Sequence, residues 1–194
     1  MRGRLWLDNF VKIVDEEGDE KLDFSTDTDW TAGMMTILDQ VGKELGCDVI
    51  RKRPDAINKE DSGEYLTIDV MFFDEKESAE YIFPRVVIEH ENSKSVEKIE
   101  YCLWKILCIR SPIRVLICYQ DGEEKVEALR KHLENNIWNG SLMKGDSGDL
   151  IVLIGNEIET DYWGEYFKTF EWRNDRLEEI KELKWDGSIQ SNLL

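Results

Sequence analysis

The chain lacks any run of apolar residues long enough to cross a bilayer. Its N-terminal stretch, MRGRLWLDNFVKIVDEE, is broken by Asp8, Lys12 and Asp15 too early for a signal peptide. A soluble, cytoplasmic protein with no membrane partner is expected. The four cysteines, at 47, 102, 108 and 118, form no CxxC pair, and three sit inside apolar runs, which argues against structural zinc and disulfides. Histidine is scarce as well. With two of them, and no GxSxG, Walker or Rossmann pattern, hydrolase triads, nucleotide-binding loops and zinc catalysis are poorly supported. No Pro/Gly/Ser-rich linker divides the 194 residues, so a single domain over 1–194 is expected.

Positive charge is also in short supply. Twenty-five Lys and Arg stand against 42 Asp and Glu, a net charge of -17. Proteins that bind nucleic acid usually present a basic face, because neutralising phosphates releases counterions and supplies much of the affinity. Here the nearest basic tract is Arg51-Lys52-Arg53, with looser cations at Lys94, Lys98, Lys105, Arg110 and Arg114. The balance disfavours a nucleic-acid partner without excluding a local positive patch, and leaves a protein partner or a homodimer open.

What is present is a well-punctuated α/β pattern. Leu5, Leu7, Phe10, Val11 and Val14 predict a short amphipathic helix over 4–15, followed by an exposed loop, EEGDEKLDFSTDTD. Trp30, Met34, Ile37, Leu38, Val41 and Leu45 recur at helical spacing, with Asp27, Thr28 or Asp29 as cap and Gly46 as stop. CDVIRKR reads as a short strand, closed by Pro54 and a polar loop through Gly63. EYLTIDVMFFD and EYIFPRVVIEHE, separated by DEKESAE, suggest an antiparallel hairpin with Pro84 at a strand start or bulge. Val96, Ile99, Leu103 and Ile106 mark a helix ended by Pro112. IRVLICYQ is a strand buried on both faces and parallel to the one before the helix. A helix (DGEEKVEALRKHLENNIW) and a buried strand (DLIVLIGN) follow. The aromatic-rich extension, about 156–194, carries Tyr162, Trp163, Tyr166, Phe167, Phe170 and Trp172 and a charged helical stretch near Asn174 to Leu183. The fold class is a mixed α/β sheet partly covered by helices on both faces.

Three acids, Asp69, Glu89 and Glu91, fall at the ends of the two hairpin strands, just before a helix. Alternation along a strand puts Glu89 and Glu91 on one face, where they could meet Asp69 from the neighbouring strand, and clustered carboxylate oxygens are what Mg²⁺ requires. In this order the elements resemble the PD-(D/E)XK, or restriction-endonuclease-like, nucleases. That family's core runs αβββαβ, with an Asp on the second strand and E-x-K on the third. The resemblance covers about 29–119. It implies a nuclease that cleaves phosphodiester bonds with a Mg²⁺- or Mn²⁺-activated water, Asp69 and Glu89 being the metal ligands. Glu44, near the end of the first long helix, is similar to an additional acid that many members keep there, and Glu91 stands where the family's Lys usually stands. Some members have a Glu at that point; others look as though the Lys has moved onto the following helix. Here Lys94, Lys98 and Lys105 lie on or just before that helix, with Tyr101 between them. Lys94 and Lys98 stand as the candidate catalytic cations, and Glu91 as a catalytic or auxiliary metal-binding acid.

Other readings remain beside this one. An acid at a strand end, in so acidic a chain, is ordinarily a solvated residue. A catalytically inactive member of the same fold, serving as an acidic interaction or regulatory module, fits the charge equally. His90 should point away from Glu89 and Glu91, and His132 should be solvated on a helix face.

Overall fold

A computed structural model describes residues 3–22, 25–51, 67–74, 82–139, 148–156 and 166–181. Lys52, Arg53, the loop from Pro54 to Gly63, the tract 75–80, Tyr162, Trp163 and Leu183 lie outside these. In chain order the elements are α1 (Gly3–Lys21), α2 (Asp27–Glu44), β1 (Cys47–Arg51), β2 (Val70–Asp74), β3 (Val86–Glu91) and α3 (Val96–Cys108). They continue with β4 (Ile113–Gln120), α4 (Glu123–Asn139), β5 (Asp149–Asn156), β6 (Phe167–Arg173) and β7 (Arg176–Glu179). No helix among the described residues is long and apolar enough to cross a membrane.

The strands form one seven-stranded mixed sheet in sequence order, with β1 and β7 outermost. β1, β2 and β3 pair antiparallel, β3, β4 and β5 parallel, and β5, β6 and β7 antiparallel. The parallel steps are made through α3 and α4, as crossover connections require. Every residue of β4 is buried, in keeping with its unbroken apolar run. Alternation divides the core in two. Val86, Ile88, Ile113, Val115 and Ile117 pack beneath α1 and α2, whereas Met71, Val87, Leu116, Val152 and Ile154 pack beneath α3 and α4.

The first helix runs farther than the sequence pattern suggests. Beyond residue 15, where a loop is expected, α1 continues to Lys21, whose ammonium pairs with Glu17 one turn back and reaches Gln40 Oε1 of α2 at 2.8 Å. Tertiary contact thus sustains a turn that composition alone marks as polar loop. The two helices touch closely there. A Cβ on Gly33 would lie 2.2 Å from the backbone oxygen of Lys21. Gly33→Ala should therefore cost about 3 kcal/mol by overpacking, read as a lower urea midpoint at unchanged slope. The second helix starts where a cap is available, Thr26 Oγ1 accepting from Asp29 N at 3.1 Å, one residue ahead of the expected caps.

The stretch from Asn174 corrects a helical expectation. Residues 167–179 form a hairpin with Arg173 opposite Arg176, and its two-residue loop, Asn174 and Asp175, has φ of 50° and 62°. Positive φ at both positions is the signature of a type I′ turn, which matches strand twist and suits Asn and Asp. Leu177 and Ile180, three apart, imitate a helical stripe. In the sheet they take opposite faces, Leu177 entering the α3/α4 core and Ile180 packing against the α1/α2 core. The available edge of β5 decides the conformation.

Candidate functional site

The antiparallel register of β2 and β3 sets Val70 opposite Ile88, so one step further Asp69 falls beside Glu89. Asp69 Oδ2 accepts a hydrogen bond from the His90 backbone N–H at 3.0 Å, which ties the start of β2 to the carboxyl end of β3. Glu89 is 1 % exposed and Asp69 9 %, so neither is the solvated strand-end acid of the simplest reading. Parallel strands β3 and β4 end here, the side of an α/β sheet where ligands usually bind.

Helix α3 supplies the counter-charge. Its buried stripe, Ile99, Cys102, Leu103 and Ile106, seats it on β3 and β4, and Lys105 flanks that stripe. Lys105 Nζ lies 2.7 Å from Glu89 Oε2 and donates to the Thr67 carbonyl at 3.1 Å. Thr67 has φ of 60°, a left-handed conformation that is strained for a β-branched residue. The strained turn thus directs a carbonyl at the lysine. Together these residues line a cleft of about 480 Å³, with Thr31 of α2, Glu91, Asn92 and Tyr101 on its walls.

Electrostatics in the cleft are out of balance. Burial, and then the neighbouring Asp69 charge, push the Glu89 carboxyl up to about 7 although Lys105 opposes them. Burial draws the Lys105 ammonium down, but its hydrogen bond to Glu89 and the surrounding negative charge hold it above its ordinary value. The Cys102 thiol is raised by burial and by Glu89. Glu89 Oε1 is buried with no hydrogen-bond partner among the described residues. A buried carboxylate oxygen left this way is costly.

The remaining sequence candidates separate. Glu91 lines the cleft, but Oε1 accepts from Ser93 N at 2.7 Å and Oε2 faces the Cys102 thiol at 3.8 Å. Lys94 points elsewhere, 2.5 Å from Asp121, and Lys98 is exposed on α3. Neither lines the cleft; among the described residues the lysine that does is Lys105. Glu44 is exposed at the last residue of α2, whereas Thr31, near the other end, lines the cleft. Glu44 follows Thr31 by 13 positions, about 20 Å along the helix, so Glu44 is not brought to the acids. His90 also lines the cleft, but its ring turns to the opposite sheet face, Nε2 lying 2.7 Å from the Tyr119 hydroxyl, and His132 is exposed near Glu100. Among the described residues no group of three or more His, Cys, Asp or Glu side chains is disposed to hold a metal ion.

No protein-family model, curated protein or solved structure matches the chain. The cleft is therefore interpreted from its own chemistry. Two carboxylates from adjacent strands meet a lysine from the helix that follows, and one buried carboxylate oxygen has no hydrogen-bond partner among the described residues. Thr67, Thr31 and Asn92 complete the lining without a sequence signal. They come from a turn, a helix and a loop that only the folded chain brings together.

Proposed function

We propose that this cleft belongs to a divalent-metal-dependent phosphodiester hydrolase, a nuclease of the restriction-endonuclease-like type. The observation that carries the proposal is the convergence of Asp69, Glu89 and Lys105 in one buried cleft. The element order α2, β1, β2, β3, α3, β4 supports it, since the resemblance places an Asp on the second strand and a Glu on the third.

The donor set fits Mg²⁺ or Mn²⁺. Mg²⁺ is usually held by one or two carboxylates, with waters and substrate phosphate completing the shell, so Asp69 and Glu89 suffice without a third acid. The bare Glu89 Oε1 and the mutual repulsion of the two acids are what a cation would relieve. When bound, such an ion polarises a phosphoryl oxygen and makes a water more acidic. Lys105 would stabilise charge developing on the phosphate, the role of the lysine in the family's motif. Glu91, restrained by Ser93 and Cys102, would shape the entrance to α3 rather than bind metal.

A second reading, an inactive member of the same fold acting as an interaction module, draws on the Lys105–Glu89 pair, which partly neutralises the site, and on the net charge of -17. One experiment separates the two. Purified protein and Asp69→Ala are incubated with single-stranded and duplex DNA and RNA in Mg²⁺ or Mn²⁺, with metal binding measured by calorimetry. The nuclease reading expects cleavage that needs both metal and Asp69. Cleavage that survives Asp69→Ala, or no saturable metal binding below millimolar levels, would sink it.

A further inference from the structure

We infer that Tyr101 and Trp104 form a stacking platform for unpaired bases, so that the cleft takes single-stranded rather than duplex nucleic acid. This rests on reading the cleft as one that faces a phosphodiester.

Large apolar side chains in the open are few among the described residues, and two of them sit together on α3, Tyr101 on the cleft wall and Trp104 stacked beside it. Tyr101 is 57 % exposed and Trp104 50 %, their rings stacked at 5.8 Å between centroids and 26° between planes. Neither contributes to the buried stripe of α3. The platform is continuous with the acids: Tyr101 lines the cleft, and Lys105 Nζ is 5.6 Å from its ring centroid and 2.7 Å from Glu89 Oε2. A base lying on these rings would bring its phosphate toward the same ammonium.

The exposed base face selects the occupant. A chain of net charge -17 with scattered cations supplies little phosphate neutralisation to duplex or single strand alike. Stacking of a base on an aromatic ring adds about 1–3 kcal/mol that only an unpaired base can collect. It needs a free base face, which a duplex interior does not offer. A hydrophobic protein interface would extend over a contiguous apolar patch. Instead α3 carries Glu97, Lys98 and Glu100 in the turn just before the pair, and exposed Phe83 is capped by Arg110 at 4.9 Å.

The test measures binding without turnover, using fluorescently labelled oligothymidylate, oligouridylate and a DNA duplex of equal length, with the full chain in EDTA. Single strands should bind more tightly than duplex, and Trp104→Ala should weaken them roughly tenfold while Trp104→Phe stays within about threefold. Since Trp104 is half exposed, melting temperatures should coincide, so lost binding is not lost folding. Preference between the two oligonucleotides distinguishes DNA from RNA. Duplex binding equal to single-strand binding, unchanged affinity in Trp104→Ala, or no binding of any nucleic acid would overturn the platform, the last leaving a protein partner as its occupant. Metal-dependent cleavage lost in Asp69→Ala, with Trp104→Ala indifferent, would retain the nuclease and discard the platform. Trp104-dependent binding without cleavage would do the reverse.

Discussion

Lys105→Met should lower metal-dependent cleavage by about 10²–10³-fold, the loss typical when one group that stabilises transition-state charge is removed. Lys94→Met, whose ammonium is occupied by Asp121 outside the cleft, should leave the rate within about threefold. Single-turnover kinetics with saturating substrate make the comparison, because the difference should fall on the chemical step rather than on binding. Equal losses in the two variants would remove Lys105 from the proposed mechanism. Stability supplies an independent readout. Removing the ammonium leaves Glu89 buried beside Asp69, and breaking one partner of a buried pair costs about 3–5 kcal/mol when the other stays charged. Without the ammonium the carboxyl, already raised to about 7 beside it, keeps its proton to higher pH and escapes that cost. The variant should therefore lose about 1.4 kcal/mol relative to the parent between pH 5 and pH 8, the ionisation that only the parent gains above pH 7.

Glu89 should also give the unmodified protein a stability that declines with rising pH. Its carboxyl titrates at about 7 in the folded chain against an ordinary value of 4.5, so between these values the folded state holds a proton that the unfolded state has released. The contribution is fully present below 4.5, is lost as pH rises through about 7, and is absent above. Its upper size is about 3 kcal/mol, from 1.36 kcal/mol per pH unit. Glu89→Gln cannot titrate there. The stability of the parent relative to Glu89→Gln, from urea unfolding at successive pH values, should fall by up to that amount between about pH 5 and pH 8. Curves that stay parallel would show that Glu89 is ionised throughout. Millimolar Mg²⁺ or Mn²⁺ should raise parental stability more at the alkaline end, where the acids are charged, than at the acid end.

How much of this was legible in the sequence follows from the range of the interactions involved. Asp69, Glu89 and Glu91 could be placed on strand ends because alternation is local, and β4 announced itself by its unbroken apolar run. Of the three lysines on or near α3, sequence points to Lys94 and Lys98 ahead of Lys105 for a geometric reason. The loop of residues 92–95 separates β3 from α3, and Lys105 comes nine residues into the helix, roughly 13 Å from its start. Proximity in sequence therefore favoured Lys94 and Lys98, which never meet the acids. Glu44 failed similarly, because the orientation of α2 across the sheet is set by packing and brings Thr31 to the cleft instead. The hairpin at Asn174 was hidden by a leucine and an isoleucine spaced as on a helix.

The outer strands carry a consequence for assembly. β1 has five residues and β7 four, and the charges of Asp48, Arg51, Arg176, Glu178 and Glu179 stud them. Short, charged borders are poor templates for another chain, which protects a sheet rich in valine and isoleucine from edge-to-edge growth.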